Sequence, residues 1–407
     1  MSTSISLAKT NSVSLEVPLT SSKSESNRAL LIKILGGNKA ELSNLSSARD
    51  TQTMTTLLNS DDYELDVLDA GTVMRFMTAY LATSNKERRI TGTPRMCQRP
   101  IKILVEALNE LGANVKYVGE EGYPPLEFKP FSEQKVDELT IPGNISSQYI
   151  SALLMIAPTL PKGLKINLEG EIYSRPYIEM TLNLMKHFGV ESCFEGKIIS
   201  VASQEYAANS YTIESDWSGA SYWYSFAALA NTASIKLKGL REVSNQGDSA
   251  IVKIMEGLGV KSTFNGDVVT LTKCDQKSHL DIDFKSCPDL AQTVFACAAA
   301  KGVSLKMTGL ESLRIKESDR TAAMATELGK IGAKLEETTK GVWELTPAPS
   351  IDQTMGVTFD TYDDHRMAMA LAPLCTQLPV IINEPEVVVK SYPEYWDHLR
   401  YAGISTE

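Results

Sequence analysis

The sequence predicts a mixed α/β repeat protein whose helices are central and whose sheets are peripheral. Three observations predict it. Helix-ending glycines recur about every 70 residues, the length of one supersecondary unit. A second kind of helix start recurs between them. The helices at those starts are apolar nearly all round, whereas the strand-like stretches alternate.

The glycine signal comes first. "ALNELGANV" (Gly112), "NLMKHFGVES" (Gly189), "KIMEGLGVKS" (Gly259), "ELGKIGAKL" (Gly332) and "HLRYAGI" (Gly403) each end a helical pattern on Gly before a small or branched residue. Glycine just past a helix end adopts the left-handed conformation that other residues resist. A strand is expected after most of these caps, as in "AKLEETTKGVWELT". The second signal is a polar helix start, at Ser24, Gly71, Ser147, Ser218, Asp289 and Asp364. Six starts imply six units. "YISALLMIA", "SYWYSFAALA" and "AQTVFACAAA" lack a polar face, so they are expected to be buried on all sides. "DVVTLTK" and "GVWELT" alternate and should keep one face in water. If the units are alike, the polar helix starts converge.

Composition bounds the function. A chain of 407 residues with 43% hydrophobic and 22% charged residues holds two or more globular cores. A net charge of −10 argues against a general nucleic-acid binder or an anionic membrane surface, so any anion recognition must be local. No apolar run approaches membrane-spanning length, and the N-terminus does not read as a signal peptide. Six scattered cysteines and four histidines give no zinc pattern, and reduced cysteines in a cytoplasmic protein are expected.

Against that net charge, basic residues gather at helix starts. In "TSSKSESNRALLIKIL", Lys23 and Arg28 sit where a helix already presents unpaired N–H groups and positive charge. Ser24 or Ser26 could cap that helix; alternatively the segment binds an anion. Further cations stand in "TGTPRMCQRPI" (Arg95, Arg99), "LRIKESDR" (Arg314, Lys316, Arg320), "YDDHRMA" (His365, Arg366) and "VVVKSYPEYW" (Lys390). Were "IKESDRTAAMATEL" one helix, Lys316 and Arg320 would be like-charged neighbours, offset by Glu317 and Asp319. Asp289 follows Pro288 at an apolar helix start, where it is either an N-cap or an acid placed to move a proton.

These motifs together resemble the 5-enolpyruvylshikimate-3-phosphate synthase family, the 3-phosphoshikimate 1-carboxyvinyltransferases. "SKSESNRALL", "AGTVMRF", "GTPRMCQRPI", "SSQYISALLM", "YSRPYIEMTLNLMKHFGV", "RIKESDRTAAMATELGKIGA", "TYDDHRMAM" and "KSYPEYW" follow the family's order across essentially the whole chain. The resemblance implies a two-lobed inside-out α/β barrel of six βαβαββ units, three per lobe. Residues 1–20 and 215–407 would form one lobe and 21–214 the other, with the active site in the interlobe cleft.

The resemblance also implies the chemistry. The enolpyruvyl group of phosphoenolpyruvate passes to the 5-hydroxyl of shikimate 3-phosphate by addition and elimination, and phosphate leaves. Ser24, Arg28, Ser146, Ser147, Ser174, Tyr177, Asp289, Ser312 and Lys316 would bind shikimate 3-phosphate. Lys23, Gly71, Arg95, Gln148, Arg320, Arg366 and Lys390 would bind phosphoenolpyruvate. Asp289 would be the base and Glu317 the acid, with Lys23 competing for the acid role. The two substrates carry on the order of five to six negative charges, at ~1.5–2 per phosphate. No metal or organic cofactor is implied, a monomer is expected, and glyphosate is a candidate inhibitor because Gly71 is retained.

Three departures from the family pattern fall near the site. Asp69 replaces an Asn and adds a negative group near the phosphoenolpyruvate loop. Phe76 replaces a Pro in the helix bearing Gly71. Ser312 replaces an Asn that touches the shikimate ring. The related UDP-N-acetylglucosamine enolpyruvyl transferases fit less well. They carry Lys-Asn where Lys23-Ser24 stands, and their loop Cys lies farther from Arg-Pro than Cys97 lies from Arg99-Pro100.

Overall fold

The computed structural model describes residues 3–407. The chain forms two compact units, one of residues through Thr20 together with Glu214–Glu407, the other of Ser21–Ile213. Each unit carries three sheets.

The repeat is visible strand by strand. In the second unit, Glu64–Asp66 runs parallel to Arg88–Thr91, joined through the helix Gly71–Ala82. The helix Lys102–Leu111 then leads to the hairpin Asn114–Tyr117 and Leu126–Lys129. This βαβαββ order repeats through Glu138–Pro142, Ser147–Ile156, Leu164–Glu169, Arg175–His187, Ser192–Glu195 and Ile198–Val201. The first unit repeats it from His279–Asp283 to Val342–Thr346, and again where Ser12–Pro18 pairs with Thr232–Lys238. The other two sheets are abbreviated, with three strands and two.

Strands alternate as their sequences require: Ser12–Pro18, Glu138–Pro142 and Leu164–Glu169 bury every other side chain. The apolar helices are enclosed. In Trp217–Leu229 every residue but Ser218 is buried, in Ser147–Ile156 every residue but Gln148, and His365–Leu371 is buried throughout. The half-buried exceptions are polar and stand in the first turn.

The five glycines that end helical patterns, Gly112, Gly189, Gly259, Gly332 and Gly403, all have φ between 81° and 110°. At Gly112 a Cβ would also lie 2.2 Å from the Glu133 carbonyl oxygen, so both conformation and space exclude a side chain there. Among the described residues no helix is long and apolar enough to cross a membrane.

Candidate active site

In the first unit, three predicted site residues converge on Asp289. This residue lies in the 3-10 turn Pro288–Leu290, just before the helix Ala291–Lys301. It does not cap that helix. Its Oδ1 accepts from Arg320 Nη1 at 3.0 Å, its Oδ2 accepts from Arg366 Nη2 at 2.9 Å, and Lys316 Nζ lies 3.7 Å from Oδ1. Burial alone would raise the proton affinity of this carboxyl. Arg366, Lys316 and Arg320 override it and hold Asp289 well below the usual carboxylate range.

Arg320 organises the cluster. Its Nη2 donates to Glu317 Oε2 at 3.0 Å and its Nε to Asp364 Oδ2 at 2.8 Å. One guanidinium therefore joins the predicted base, the predicted acid and a fully buried third carboxylate. Burial works against charge on Arg320, but Asp364, Glu317 and Asp289 together bind its proton more tightly than usual. Asp364 also caps the helix His365–Leu371, accepting from Arg366 N at 3.0 Å, and accepts from Ser318 Oγ at 3.0 Å. The stretch "IKESDRTAAMATEL" is not one helix. Glu311–Ile315 is a 3-10 turn, Lys316 is extended, and the helix begins at Arg320 with Asp319 as its cap. Lys316 and Arg320 are thus not helical neighbours, and both reach Asp289. Ser312 lies half-buried in the turn that leads to Lys316, and Lys390 is buried at the end of the turn Pro385–Lys390.

In the second unit, Lys23 opens the helix Lys23–Leu35, and Ser22 caps it by accepting from Glu25 N. Neither Ser24 nor Ser26 caps it: Ser24 stands half-buried beside Lys23, and Ser26 Oγ accepts from Ser46 N. Lys23 Nζ donates to the buried Asp50 at 3.0 Å. Arg28 is enclosed. It donates to Thr181 Oγ1 at 2.8 Å, to Ser24 O at 2.9 Å and to Ser151 Oγ at 3.2 Å. Burial pushes it down to about 10, against the pull of Tyr177 and Glu25. Its guanidinium lies 5.2 Å from the Phe76 ring centre and 6.0 Å from that of Tyr177. Arg28 therefore ties three helices together, and Phe76 is one wall of its pocket.

Gln148 Nε2 donates to Thr72 Oγ1 at 3.0 Å, which joins the starts of two apolar helices. Ser146 caps its helix by accepting from Gln148 N, and Ser147 is buried beside it. Ser174 precedes Arg175–His187 with φ 53°, a left-handed conformation that costs a serine energy and is often found at binding sites.

The arginine at Gly71 is not the one the motif suggested. Arg95 is exposed, while Arg99 is buried and covers Gly71, where a Cβ would meet Arg99 Nη1 at 2.6 Å. The two arginines flank one 3-10 turn, Met96–Gln98, and the turn aims them differently. Asp69 adds no unbalanced charge, because Arg49 Nη2 lies 2.8 Å from its Oδ2. Asp50, Thr181 and Ser151 were not foreseen, and Asp364 was read only as a polar helix start. Asp364 alone carried a signal, an acidic pair directly before a buried apolar helix.

Helix starts gather arginine and lysine beside carboxylates in both units of a six-sheet α/β repeat, a chemistry suited to holding anions. The fold is shared with an EPSP synthase from Acinetobacter baumannii, with TM-score 0.77, 21% identity and 99% of each chain covered. It is also shared with the enolpyruvyl transferase NikO from Streptomyces tendae, with TM-score 0.77, 11% identity and coverage of 99% and 98%. The family model described as EPSP synthase (3-phosphoshikimate 1-carboxyvinyltransferase) matches residues 56–399. A 3-phosphoshikimate 1-carboxyvinyltransferase of Bacteroides fragilis (strain YCH46) is 46% identical over 405 residues, spanning 98% of this chain and 97% of the relative. One from Salmonella arizonae is 35% identical over 421 residues, spanning 96% of each. The chain belongs to the EPSP synthase family.

Proposed function

We propose that the chain transfers the enolpyruvyl group of phosphoenolpyruvate to the 5-hydroxyl of shikimate 3-phosphate, with Asp289 as base and Glu317 as acid. The observation that carries this reading is the fork of Arg320, which bonds both carboxylates at 3.0 Å. In the addition, the hydroxyl oxygen bonds to C2 of the enol, the hydroxyl proton leaves to Asp289, and a proton reaches C3. In the elimination, C3 gives up a proton and the C2–O bond to phosphate breaks.

In the free chain, Asp289 and Glu317 serve as internal counter-ions to the cations. An arriving phosphate or carboxylate draws Arg320, Arg366 and Lys316 to itself. The depression of Asp289 then relaxes and the base strengthens when substrate is present. Lys316, Arg320, Arg366 and Lys390 act as anion ligands, and Ser312 takes the place of the family Asn. Lys23, which donates to Asp50, stays the second candidate for the acid.

In the second unit, the reading assigns Gly71, Gln148 and Arg99 to phosphoenolpyruvate. Arg99 replaces Arg95 because it is the guanidinium against Gly71. Ser24, Ser146, Ser147, Ser174 and Tyr177 are assigned to shikimate 3-phosphate, and Arg28 fixes the helices that carry them. A cytoplasmic monomer open to glyphosate rests on the family resemblance alone.

The test is phosphate release from phosphoenolpyruvate with shikimate 3-phosphate or UDP-N-acetylglucosamine as acceptor. Release with the first only, abolished in Asp289→Ala, is the expected result. Release with neither would overturn the reading in favour of a non-catalytic anion binder.

A further inference from the structure

We propose that Asp248 is a positioning residue for this reaction: through the Ser218 hydroxyl it fixes Arg366 in the orientation that receives an anionic substrate group. The proposal rests on the reading of Arg366 as an anion ligand.

Asp248 lies in the short turn Gly247–Ala250 and is 3% exposed. Ser218 Oγ donates to Asp248 Oδ2, which commits the hydroxyl's single proton and leaves its lone pairs to accept. Arg366 Nη2 donates to that oxygen at 3.4 Å and Nη1 donates to Tyr222 OH at 3.4 Å. The same guanidinium also donates to Asp289, through Oδ2 at 2.9 Å and the backbone carbonyl at 3.2 Å. Asp289 turns to the acceptor hydroxyl during reaction. Ser218 and Tyr222 then hold the guanidinium from its other side.

Two further observations point the same way. Ser218 is the one residue of its helix that is not buried, so its hydroxyl is placed at the reacting face rather than in the core. Asp248 Oδ1 is buried without a hydrogen-bond partner. A dry, half-satisfied carboxyl costs stability, and a serine neighbour alone does not require one.

The experiment compares steady-state kinetics of Asp248→Ala, Ser218→Ala, their double variant, Asp248→Asn and Arg366→Lys. A lost hydrogen bond that orients a charged group corresponds to about a 10-fold effect. The KM for phosphoenolpyruvate should therefore rise about 10-fold in Asp248→Ala and in Ser218→Ala, with the KM for shikimate 3-phosphate unchanged and kcat within about 3-fold. The double variant should be no worse than either single one, and Asp248→Asn, which still accepts from Ser218, should recover most of the loss. Additive effects, an unchanged phosphoenolpyruvate KM, or equal losses in both KM values would overturn the proposal. If Asp248→Ala does not fold, Ser218→Ala and Asp248→Asn decide alone, since both preserve the packing. An Arg366→Lys variant with an unchanged KM for phosphoenolpyruvate would instead defeat the reading of Arg366 on which the proposal depends.

Discussion

Replacing Gly71 with alanine puts one methyl carbon where the Arg99 guanidinium now lies. The new Cβ would stand 2.6 Å from Nη1 and 3.0 Å from both Cζ and Nη2. Ordinary van der Waals contact begins at about 3.5 Å, so the guanidinium must retreat by about 1 Å. The obstacle is the far end of a flexible side chain, so the backbone need not move. Gly71 opens a helix in an ordinary conformation, and alanine there is neutral or stabilising by up to about 1 kcal/mol. Stability and function are thereby separated. A displacement of about 1 Å in a charged binding group corresponds to an effect of up to about 100-fold. Initial rates at saturating shikimate 3-phosphate should show the KM for phosphoenolpyruvate raised by about 10- to 100-fold, while the melting temperature is unchanged or higher. An unchanged KM in a folded Gly71→Ala enzyme would show that Arg99 is not the phosphoenolpyruvate ligand proposed beside Gly71.

The other expected outcomes concern the carboxylates. Asp289→Asn should lower kcat by about 10²- to 10⁴-fold while shikimate 3-phosphate still binds, measured by turnover and calorimetry. Asp364→Ala leaves the buried Arg320 without its main partner and should destabilise the fold by about 3–5 kcal/mol in urea unfolding. Asp69→Asn breaks a partly exposed pair with Arg49, so stability should change by less than about 1 kcal/mol while a released cation lowers the KM for phosphoenolpyruvate. Burial and the charge of Asp289 push Asp248 up to about 7, with Arg366 pulling down and Asp216 up. The native state thus keeps a proton that the unfolded chain has released, and stability falls as pH rises from the ordinary aspartate value to about 7. The melting temperature of Asp248→Asn should accordingly gain on the wild type from about pH 5 to about pH 8, and a constant difference would contradict this.

The architecture was legible because two physical signals are local. A left-handed helix end selects glycine wherever it occurs, and all five such turns are read from single positions. The apolar helices announce their burial by having no polar face. The site was legible only in outline. That Arg99 and not Arg95 covers Gly71 depends on the path of a 3-10 turn, and both arginines satisfy the same motif. Ser22, not Ser24 or Ser26, caps its helix because the helix begins at Lys23, two residues earlier than a Ser24 cap would place it. Lys316 reaches Asp289 from an extended residue ahead of the helix, which starts only at Arg320. Asp248 had no signal at all: "QGDSA" reads as a solvated loop until the fold buries it behind Ser218.

The central claim is that Asp289 and Glu317, joined by Arg320, divide proton removal and proton delivery between them. Running the reaction in deuterium oxide and following the enolpyruvyl methylene by NMR tests it most directly. The account predicts deuterium at C3 of both recovered phosphoenolpyruvate and product in the wild type, with exchange suppressed in Glu317→Gln. Transfer without any deuterium at C3, or undiminished exchange in Glu317→Gln, would contradict it.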